Sequence, residues 1–281
     1  MNFKGPGAPF ELLFEEAAPS GGLGLPSELR DIYGGDWVIP AVDQYRYSNF
    51  VISRDGKTSF SIHGHEGGGD ISGFNRNDQW IMALARARAD AVTVGANTLR
   101  LESEHIWSAE FIFPAEAAGF AELRVQEGRR KFPYQVMVTR SGDVNGDAAI
   151  FRDPELEVIV ATTTSGSQRV RAAGLGDATI LELGADDVDL VLLHEVLRSQ
   201  YGVKSLLCEG GPKFYGAMIA TRQIDEEFLT SSPVVVGGAA SEYRPGLIDG
   251  IALNPGNDLG GHLASVRRSG EMLFLRTKYR R

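Results

Sequence analysis

The residues of this chain most suited to chemistry are Glu209, Gly210, Gly211 and Pro212, which follow the predicted strand Val203–Cys208. A proline suits the first position of a helix, because its missing N–H costs no hydrogen bond there. Adjacent glycines form tight turns and let a ligand approach the backbone closely. Free N–H groups at a helix N-terminus bind phosphate, so the pattern indicates an anion site beside a carboxylate. The same residues also suit a strand-to-helix turn that binds nothing.

Polar loops follow two other predicted strands. The first loop contains Thr139, Arg140 and Ser141, and the second contains Thr162 and Thr163. In open α/β sheets, ligands bind at the carboxyl ends of strands, and an arginine flanked by hydroxyls suits a ribose phosphate. Together with the glycine turn, these loops predict a site for a phosphorylated dinucleotide. Either loop alone is also consistent with ordinary turn chemistry.

A third strand ends in the small residues Gly95 and Ala96, with Thr98 close behind. Small residues let a flat ring or a diphosphate lie against the backbone, and a threonine hydroxyl hydrogen-bonds to such a ligand. We therefore assign all three to the cofactor site. A turn of small residues that serves only packing is the alternative.

The substrate end of the crevice is predicted near the first core strand, Tyr47–Ser53. We assign Asn49 and Ser53 to substrate binding, and Asp55 to orienting or protonating a polar heterocycle. An Asp-Gly pair also fits a tight turn without a role in chemistry. Glu209 is the stronger catalytic candidate, because it adjoins the predicted cofactor turn.

Two other groups of reactive residues are interpreted as unreactive. His63, His65, Glu66 and Asp70 stand in a glycine run and not at the helical i, i+4 spacing, so we predict no metal and interpret the segment as a lid over the crevice. Cys208 lies in an apolar strand without a base beside it, which predicts an inert thiol.

Composition narrows the possible partners. The chain has 281 residues, with 28 Lys and Arg against 37 Asp and Glu, for a net charge of −9. Such a chain has no general positive field to attract nucleic acid or an anionic membrane surface. No segment approaches the roughly 18 apolar residues needed to span a bilayer, and a single cysteine is typical of a reducing compartment. We expect a cytoplasmic protein that binds a small molecule.

Apolar runs alternate with helical patterns from Tyr47 onward, which is typical of an α/β sheet covered by helices. The last two strands, Ser265–Val266 and Met272–Tyr279, are predicted to form an antiparallel pair. The other predicted strands are Tyr47–Ser53, Ala91–Gly95, Gln135–Thr139, Glu157–Thr162, Thr179–Leu183, Val203–Cys208 and Glu227–Ser231. The predicted helices are Asn77–Arg88, Pro114–Arg130, Asp187–Tyr201 and Lys213–Thr221.

Turn-forming residues interrupt the first 45 positions. This pattern predicts an N-terminal arm over residues 1–45 and one folded domain over residues 46–281. Aromatic residues in the arm leave two roles open: capping the substrate cleft or crossing to a partner subunit.

Four separated motifs in this order resemble the pyrimidine reductase domain of riboflavin biosynthesis, a member of the dihydrofolate-reductase-like superfamily. They are Ser53-Arg54-Asp55-Gly56, the run from Arg86 to Thr98, the Glu209–Pro212 turn, and residues 223–238. The resemblance covers residues 47–279. It implies a three-layer α/β/α fold with a mostly parallel mixed sheet and a C-terminal antiparallel hairpin. It also implies NADPH as the hydride donor, and a homodimer.

The resemblance also assigns roles by position. It places substrate contacts at Arg86 and Glu209. Cofactor contacts fall on Val51, Ser72, Thr98, Glu102 and Arg140, and on the turn that contains Gly211, Pro212, Lys213, Phe214 and Tyr215.

The chain departs from the family after Thr98. The family holds the 5′-phosphate of its substrate with arginines, and this chain has Ile106 and Ala109 at those positions. Because a dianionic phosphate is poorly held without cations, we expect hydride transfer to a C=N or C=O bond of another small pyrimidine-like or pterin-like heterocycle. Two alternatives stay open: an NADP(H)-binding protein without catalytic activity, and a reductase of the same fold that uses a deazaflavin.

Overall fold

The computed structural model describes residues 1, 3–17, 21–239, 241–256 and 259–280. The strands in these residues are β1 (Glu11–Glu15), β2 (Tyr45–Ile52), β3 (Ala91–Gly95), β4 (Tyr134–Thr139), β5 (Val158–Thr162), β6 (Thr179–Glu182), β7 (Ser205–Cys208), β8 (Glu226–Ser231), β9 (Gly261–Ser269) and β10 (Met272–Tyr279). They form one mixed sheet in the order β1-β9-β10-β8-β2-β7-β3-β4-β5-β6.

Helices connect most of the parallel strands. They are α1 (Ser27–Tyr33), α2 (Gly69–Ser72), α3 (Arg76–Ala87), α4 (Ala96–Leu101), α5 (Ala109–Ile112), α6 (Ala117–Gln126), α7 (Ala149–Arg152), α8 (Thr164–Ala172), α9 (Leu190–Tyr201) and α10 (Pro212–Ala220). No helix within the described ranges combines the length and the apolar character needed to cross a bilayer.

The seven strands from β8 to β6 in the sheet order are parallel. Their carboxyl ends therefore lie at the same edge of the sheet. Parallel strands with helices on both faces are buried throughout, which explains why their sequences are nearly continuous apolar runs. Every residue of β5 and β7 is buried.

The other end of the sheet is antiparallel. β10 pairs with both β8 and β9, and β9 also pairs with β1. Gly270, with φ of 58°, makes the left-handed turn between β9 and β10. The predicted C-terminal hairpin is confirmed, and its first strand extends well beyond the predicted Ser265–Val266.

Helices cover both faces of the sheet. On one face, α1, α3, α5, α6 and α8 enclose a core that contains Trp80 and Phe120. On the other face, α9 and α10 enclose a second core around Leu193, Leu197 and Met218. The predicted three-layer α/β/α arrangement with a mostly parallel mixed sheet is confirmed.

A capping side chain and an apolar stripe explain where α3 begins and which of its faces is buried. The side chain of Asn75 accepts hydrogen bonds from the backbone N–H groups of Asn77 (2.9 Å) and Asp78 (3.2 Å), so it caps the helix. Ile81 and Leu84 lie on the buried stripe that faces the sheet. Helical spacing in the sequence therefore predicted this helix correctly.

Helix α8 was not predicted. Its first residues, Thr164-Ser165-Gly166, have the composition of a turn, and we interpreted them as part of a polar loop. In the structure Thr163 caps the helix, because its hydroxyl accepts a hydrogen bond from the backbone N–H of Gly166 at 2.9 Å. Val170 then anchors the helix in the core.

The segment predicted to be an arm is integrated with the sheet and with α3; its residues 2 and 18–20 lie outside the described part. β1 continues the antiparallel end of the sheet. Phe10 packs against the rings of Trp80 and Phe274, and Trp37 packs against Phe228. Phe10 and Trp37 are 5% and 1% exposed, so this segment supplies part of the main core.

Glu116 links the N-terminal residues Lys4 and Gly5 to α3 through hydrogen bonds. Its carboxylate accepts hydrogen bonds from the backbone N–H groups of Lys4 (2.6 Å) and Gly5, and from Trp80 Nε1 (2.8 Å). The Glu116 side chain and the Trp80 ring are buried, so the indole N–H has no access to water. A buried donor that loses its partner retains the full cost of desolvation.

We therefore expect Glu116→Ala to lower the free energy of unfolding by about 3 kcal/mol, measured by urea denaturation. Glu122→Ala is the matched control, because Glu122 is half exposed and its contacts, with the N-terminal amine at 3.3 Å and with Gln126 Nε2 at 3.4 Å, are at the surface. The control should cost less than about 1 kcal/mol. Equal losses in the two variants would contradict the role of Glu116.

Candidate functional site

The candidate site lies at the carboxyl edge of the parallel strands, where the loops after β3 and β7 touch. A Cβ atom on Gly210 would lie 2.2 Å from Val94 Cα, so only glycine fits there. The backbone N–H of Glu209 donates to the carbonyl of Thr93 at 3.0 Å. These contacts fix the turn that precedes α10.

The turn leads directly into the N-terminus of α10. Gly211 has φ of 47°, and Pro212 occupies the first turn of the helix. No side chain within the described ranges caps this N-terminus, so its first N–H groups are available to an anion. Thr98 Oγ1 lies 3.1 Å from the point that a Cβ on Gly211 would occupy. The structure thus brings together three residues that the sequence analysis assigned to one phosphate site.

A buried ion pair stands beside this turn. Arg86 Nη2 donates to Glu209 Oε2 at 2.7 Å, and Arg86 Nε donates to the same carboxylate at 3.0 and 3.2 Å. The two side chains are only 2% and 5% exposed. Burial raises the pKa of the Glu209 carboxyl, and the Arg86 guanidinium opposes that shift. Glu209 is therefore an oriented acceptor beside the turn that begins α10.

The loops after β4 and β5 are joined to each other. The Thr163 hydroxyl donates to the carbonyl of Arg140 at 2.8 Å, and a Cβ on Gly166 would lie 2.5 Å from Thr162 Oγ1. The Arg140 side chain is 73% exposed, and its nearest charge is Asp187 at 3.6 Å. Arg140 thus projects from the joined loops, with its guanidinium exposed to solvent beside Asp187. Thr139 and Ser141 flank it, and their hydroxyls accept hydrogen bonds from the backbone of the same loop.

Thr162 has a hydroxyl that the protein leaves without a partner. Its Oγ1 atom is buried and forms no hydrogen bond with any described residue. A buried polar atom without a hydrogen-bond partner is explained by a bound ligand, a bound water molecule or local strain.

The glycine-rich segment lies over the site residues Val51 and Glu102. A Cβ on Gly67 would come within 3.0 Å of Glu102 Oε1, and one on Gly68 within 2.8 Å of Val51 Cγ1. Ser72, in the helix that follows, is buried. The segment is thus in close contact with the residues predicted to bind the cofactor, as a covering loop requires.

The histidines of that segment pair with neighbouring carboxylates. His65 Nδ1 lies 2.9 Å from Asp70 Oδ1, and His63 Nδ1 lies 3.8 Å from Glu66 Oε1. Throughout the part of the chain that the structure describes, no three His, Cys, Asp or Glu side chains are grouped so as to hold a metal ion.

Asn49 and Ser53 are buried on β2 and at its carboxyl end. Asp55 lies further out and fixes a neighbouring loop. Its carboxylate accepts hydrogen bonds from the backbone N–H groups of Val236 (3.0 Å) and Gly237 (2.8 Å), and from the Ser53 hydroxyl (2.7 Å). The Val236 N–H, helped by the other donors, holds the pKa of Asp55 well below its ordinary value. These contacts favour an ionised, loop-fixing Asp55, and its catalytic role stays a prediction.

Two residues near the site were missed. Asp78 is buried in the first turn of α3, and His105 Nδ1 lies 3.5 Å from Glu102 Oε2. Burial lowers the pKa of His105 to about 2, so its imidazole is neutral. Asp78 was detectable, because it falls on the i, i+3 stripe with Ile81 as a carboxylate among apolar residues.

The side chain of one predicted cofactor residue, Tyr215, points elsewhere. Tyr215 is fully buried on the opposite face, where its ring packs against Phe50 and its hydroxyl donates to Glu227. Only its backbone belongs to the turn. Cys208 is also fully buried, and burial raises the pKa of its thiol to about 12. This agrees with an inert cysteine.

Lys213 and Phe214 begin α10 beside the turn. Lys213 is exposed, and Phe214 Cβ lies 3.3 Å from the point that a Cβ on Gly95 would occupy. Ala96 is buried at the start of α4. The predicted cofactor residues after β3 and β7 are therefore neighbours in the structure.

Comparison with known proteins identifies the architecture. A pyrimidine reductase-like protein from Corynebacterium diphtheriae has the same fold, with a TM-score of 0.67 and 19% identity over 86% of this chain and 96% of that chain. The fold resemblance implied by the sequence motifs is therefore confirmed.

Two curated relatives carry the name 2,5-diamino-6-ribosylamino-4(3H)-pyrimidinone 5′-phosphate reductase. The Aquifex aeolicus protein is 29% identical over 167 residues, which are 59% of this chain and 65% of that protein. The Archaeoglobus fulgidus protein is 26% identical over 206 residues, which are 73% of this chain and 86% of that protein. The sequence model of the RibD C-terminal domain matches residues 45–262, which include the turn, the ion pair and both polar loops. The chain belongs to the RibD C-terminal domain family.

Proposed function

We propose that the protein is an NADPH-dependent oxidoreductase that reduces a C=N or C=O bond of a small pyrimidine-like or pterin-like heterocycle. The observation that carries this proposal is the uncapped N-terminus of α10 beside the buried Arg86–Glu209 pair. An anion site next to an oriented acceptor suits a phosphorylated cofactor next to a polar substrate. The names of the two relatives support the same reaction class.

The residues present fit a dinucleotide. The close approach at Gly210 leaves backbone N–H groups free for a diphosphate, and Thr98 adds a hydroxyl. Arg140 and its flanking hydroxyls suit a 2′-phosphate on the adenosine ribose, and the unpartnered Thr162 hydroxyl lies beside that loop. When bound, the cofactor supplies the hydride, and the protein orients it and excludes water.

In this proposal, Glu209 binds the substrate and Arg86 orients Glu209. Heterocycles of this class present N–H and NH₂ donors, and a buried carboxylate is a strong acceptor for them. Arg86 holds that carboxylate in one orientation through a bidentate contact. Asn49 and Ser53, buried on the neighbouring strand, complete the proposed polar wall.

The segment after α4 supports a substrate without a phosphate at this end. His105 is neutral, Trp107 and Ala109 are buried, and Ile106 offers its carbonyl to Arg86 at 3.5 Å. Aromatic and apolar groups hold an uncharged part of a ligand better than a dianion. We propose that the substrate group bound here is uncharged.

A homodimer is proposed from the family resemblance and from an apolar sheet face. Leu275 and Val266 are opposite each other on this face, where Leu263 and Leu273 are 43% and 38% exposed. Such a patch favours association. Light scattering should give a mass near twice 30.4 kDa.

In the same light-scattering measurement, Leu273→Glu should give the mass of one chain, because a buried unpaired charge disfavours the interface. Leu253→Glu, at an exposed loop position, should leave the mass unchanged. A dimer that persists in Leu273→Glu would show that this face is not the interface.

For the cofactor, Arg140→Ala should weaken NADPH binding by about 30-fold, the equivalent of about 2 kcal/mol, and leave NADH binding unchanged. The physical reason is loss of the charge that meets the 2′-phosphate. Calorimetric titration of both nucleotides measures this. Arg171→Ala is the control, because that arginine pairs with Glu182 on the outside of α8. An equal loss for NADPH and NADH would remove the 2′-phosphate assignment.

For catalysis, Glu209→Gln should preserve NADPH binding and reduce turnover by about 100-fold or more, since an oriented charge is lost. Turnover is measured as NADPH oxidation across a panel of pyrimidines and pterins. Glu182→Gln, at a distant ion pair, is the control. If the Gln variant is unstable because Arg86 is left buried without a charged partner, Glu209→Asp is the second variant. It keeps the negative charge but moves the carboxylate, because its side chain is shorter. Unchanged turnover in folded variants would exclude Glu209 from the reaction.

The same panel tests the alternatives. Tight NADPH binding without oxidation in the presence of any compound would favour a non-catalytic binding protein. If a deazaflavin displaces NADPH, and if only the deazaflavin supports reduction of a substrate, the deazaflavin would be favoured as the cofactor.

A further inference from the structure

Tyr215 lies in α10, and its side chain has no role in the proposed function. Its backbone N–H donates to the carbonyl of Gly211 at 2.9 Å, which closes the first turn of the helix. The side chain is fully buried in the core between α10 and the sheet. The contacts that hold Tyr215 in place therefore also hold the helix start that we propose as the anion site.

The hydroxyl of Tyr215 is hydrogen-bonded to two neighbouring strands. It donates to Glu227 Oε2 on β8 and accepts from Ser48 Oγ on β2 at 3.2 Å. Ser48 and Glu227 are opposite each other in the parallel β2–β8 register. A displacement of the helix start relative to the sheet would therefore break both hydrogen bonds.

These three side chains are closed off from water. Ser48 and Tyr215 are 0% exposed, and Glu227 is 5% exposed. Burial raises the pKa of the Glu227 carboxyl, and the hydrogen bond from Tyr215 opposes that shift. A buried acceptor that loses a donor carries an uncompensated cost of desolvation. The contact therefore contributes to the fixed position of α10.

The start of α10 is also held by packing. The ring centroid of Tyr215 lies 4.5 Å from that of Phe50 on β2. At the preceding turn, the backbone of Gly210 approaches Val94 of β3 so closely that no Cβ atom fits. Donors that are held in place before a ligand arrives bind it with less loss of conformational entropy. The helix start is thus ordered in advance by β2, β3 and β8.

We propose that Tyr215 and Glu227 are positioning residues of the cofactor site: their buried hydrogen bond holds the first turn of α10 in the geometry that binds the diphosphate. Both act through the backbone of α10, because the Tyr215 side chain lies beneath the helix. The inference rests on the proposed binding of NADPH. It adds a contribution to cofactor affinity from side chains that the cofactor does not touch.

The first test is calorimetric titration of Tyr215→Phe with NADPH and with NADH. This substitution keeps the ring and removes the hydroxyl. The affinity for each nucleotide should fall about tenfold, and by the same factor, because the diphosphate is common to both. Arg140→Ala, in contrast, should affect NADPH alone. Unchanged affinities in Tyr215→Phe, or a loss for NADPH alone, would overturn the positioning role.

Tyr45→Phe is the matched control. The Tyr45 hydroxyl donates to Glu226 Oε2 at 2.6 Å, and this buried pair also joins β2 to β8. Tyr45 belongs to the core on the other face of the sheet, so its hydroxyl does not position α10. Both Phe variants should lower the thermal midpoint by about 3 °C. Tyr45→Phe should keep the parental nucleotide affinities, and an equal loss of affinity in the two variants would contradict the proposal.

Glu227 provides a second pair of variants for the same titration. Glu227→Gln retains an oxygen that accepts from the Tyr215 hydroxyl, so it should keep most of the nucleotide affinity. Glu227→Leu removes the acceptor and should lose about tenfold. In the double variant Tyr215→Phe/Glu227→Leu the loss should be no larger than in either single variant, because both substitutions remove one interaction. Additive losses would overturn the assignment.

Hydrogen exchange of the nucleotide-free protein tests the contact independently of binding. The amide at position 215, which closes the first turn of α10, should exchange about tenfold faster in Tyr215→Phe than in the parent. Tyr45→Phe should keep the parental rate at this amide. A parental rate in Tyr215→Phe would show that the hydroxyl does not hold the helix start, and the proposal would be wrong.

Failure of the inference and failure of the proposed function give different results. If the parent binds neither NADPH nor NADH, the proposed function and the positioning role are both wrong. If the parent binds both nucleotides and Tyr215→Phe binds them equally well, only the positioning role is wrong.

Discussion

The buried ion pair between Arg86 and Glu209 is the interaction on which the candidate site depends. It connects α3 with the turn that begins α10, and Arg86 also donates to the carbonyls of Ile106 and Ser108 at 3.5 and 3.3 Å. One guanidinium therefore joins three segments that are distant in sequence. Removing one partner of a buried pair leaves an uncompensated charge, so the site geometry and the local stability are coupled.

This arrangement also explains how an acidic chain can hold an anion. The net charge of −9 gives no long-range attraction for a phosphorylated ligand. The binding groups that we propose are local: the N–H groups of α10, the hydroxyl of Thr98 and the exposed guanidinium of Arg140. Such short-range donors discriminate between ligands by geometry. They bind only a ligand whose anionic groups lie within hydrogen-bond distance of them.

The carboxylates of the site have different environments. Glu209 is paired with a guanidinium, Asp55 is held ionised by backbone donors, and Asp78 is buried in the first turn of α3 with no ion pair among the described residues. Carboxyl groups whose pKa values are pushed apart can serve as acceptor and as acid within one site.

Much of the architecture was predictable because it depends on local patterns. From Tyr45 onward, apolar runs and turn residues predicted the seven parallel strands accurately enough to identify where each one ends. Because the strands are parallel, their carboxyl ends lie at one edge of the sheet. Helix α8 and strand β1 were not predicted. The first begins with turn-forming residues, and the second is stabilised mainly by pairing with β9 far along the chain.

The sequence by itself determined the turn at Glu209–Pro212 and the family, because glycine, proline and strand periodicity act between near neighbours. Tertiary structure alone decided what each carboxylate does. Asp55 owes its environment to Val236, which follows β8 and is brought to Asp55 because β8 pairs with β2. A pKa depends on the charges and donors that surround a group in space. Those surroundings exist only after β8 has paired with β2.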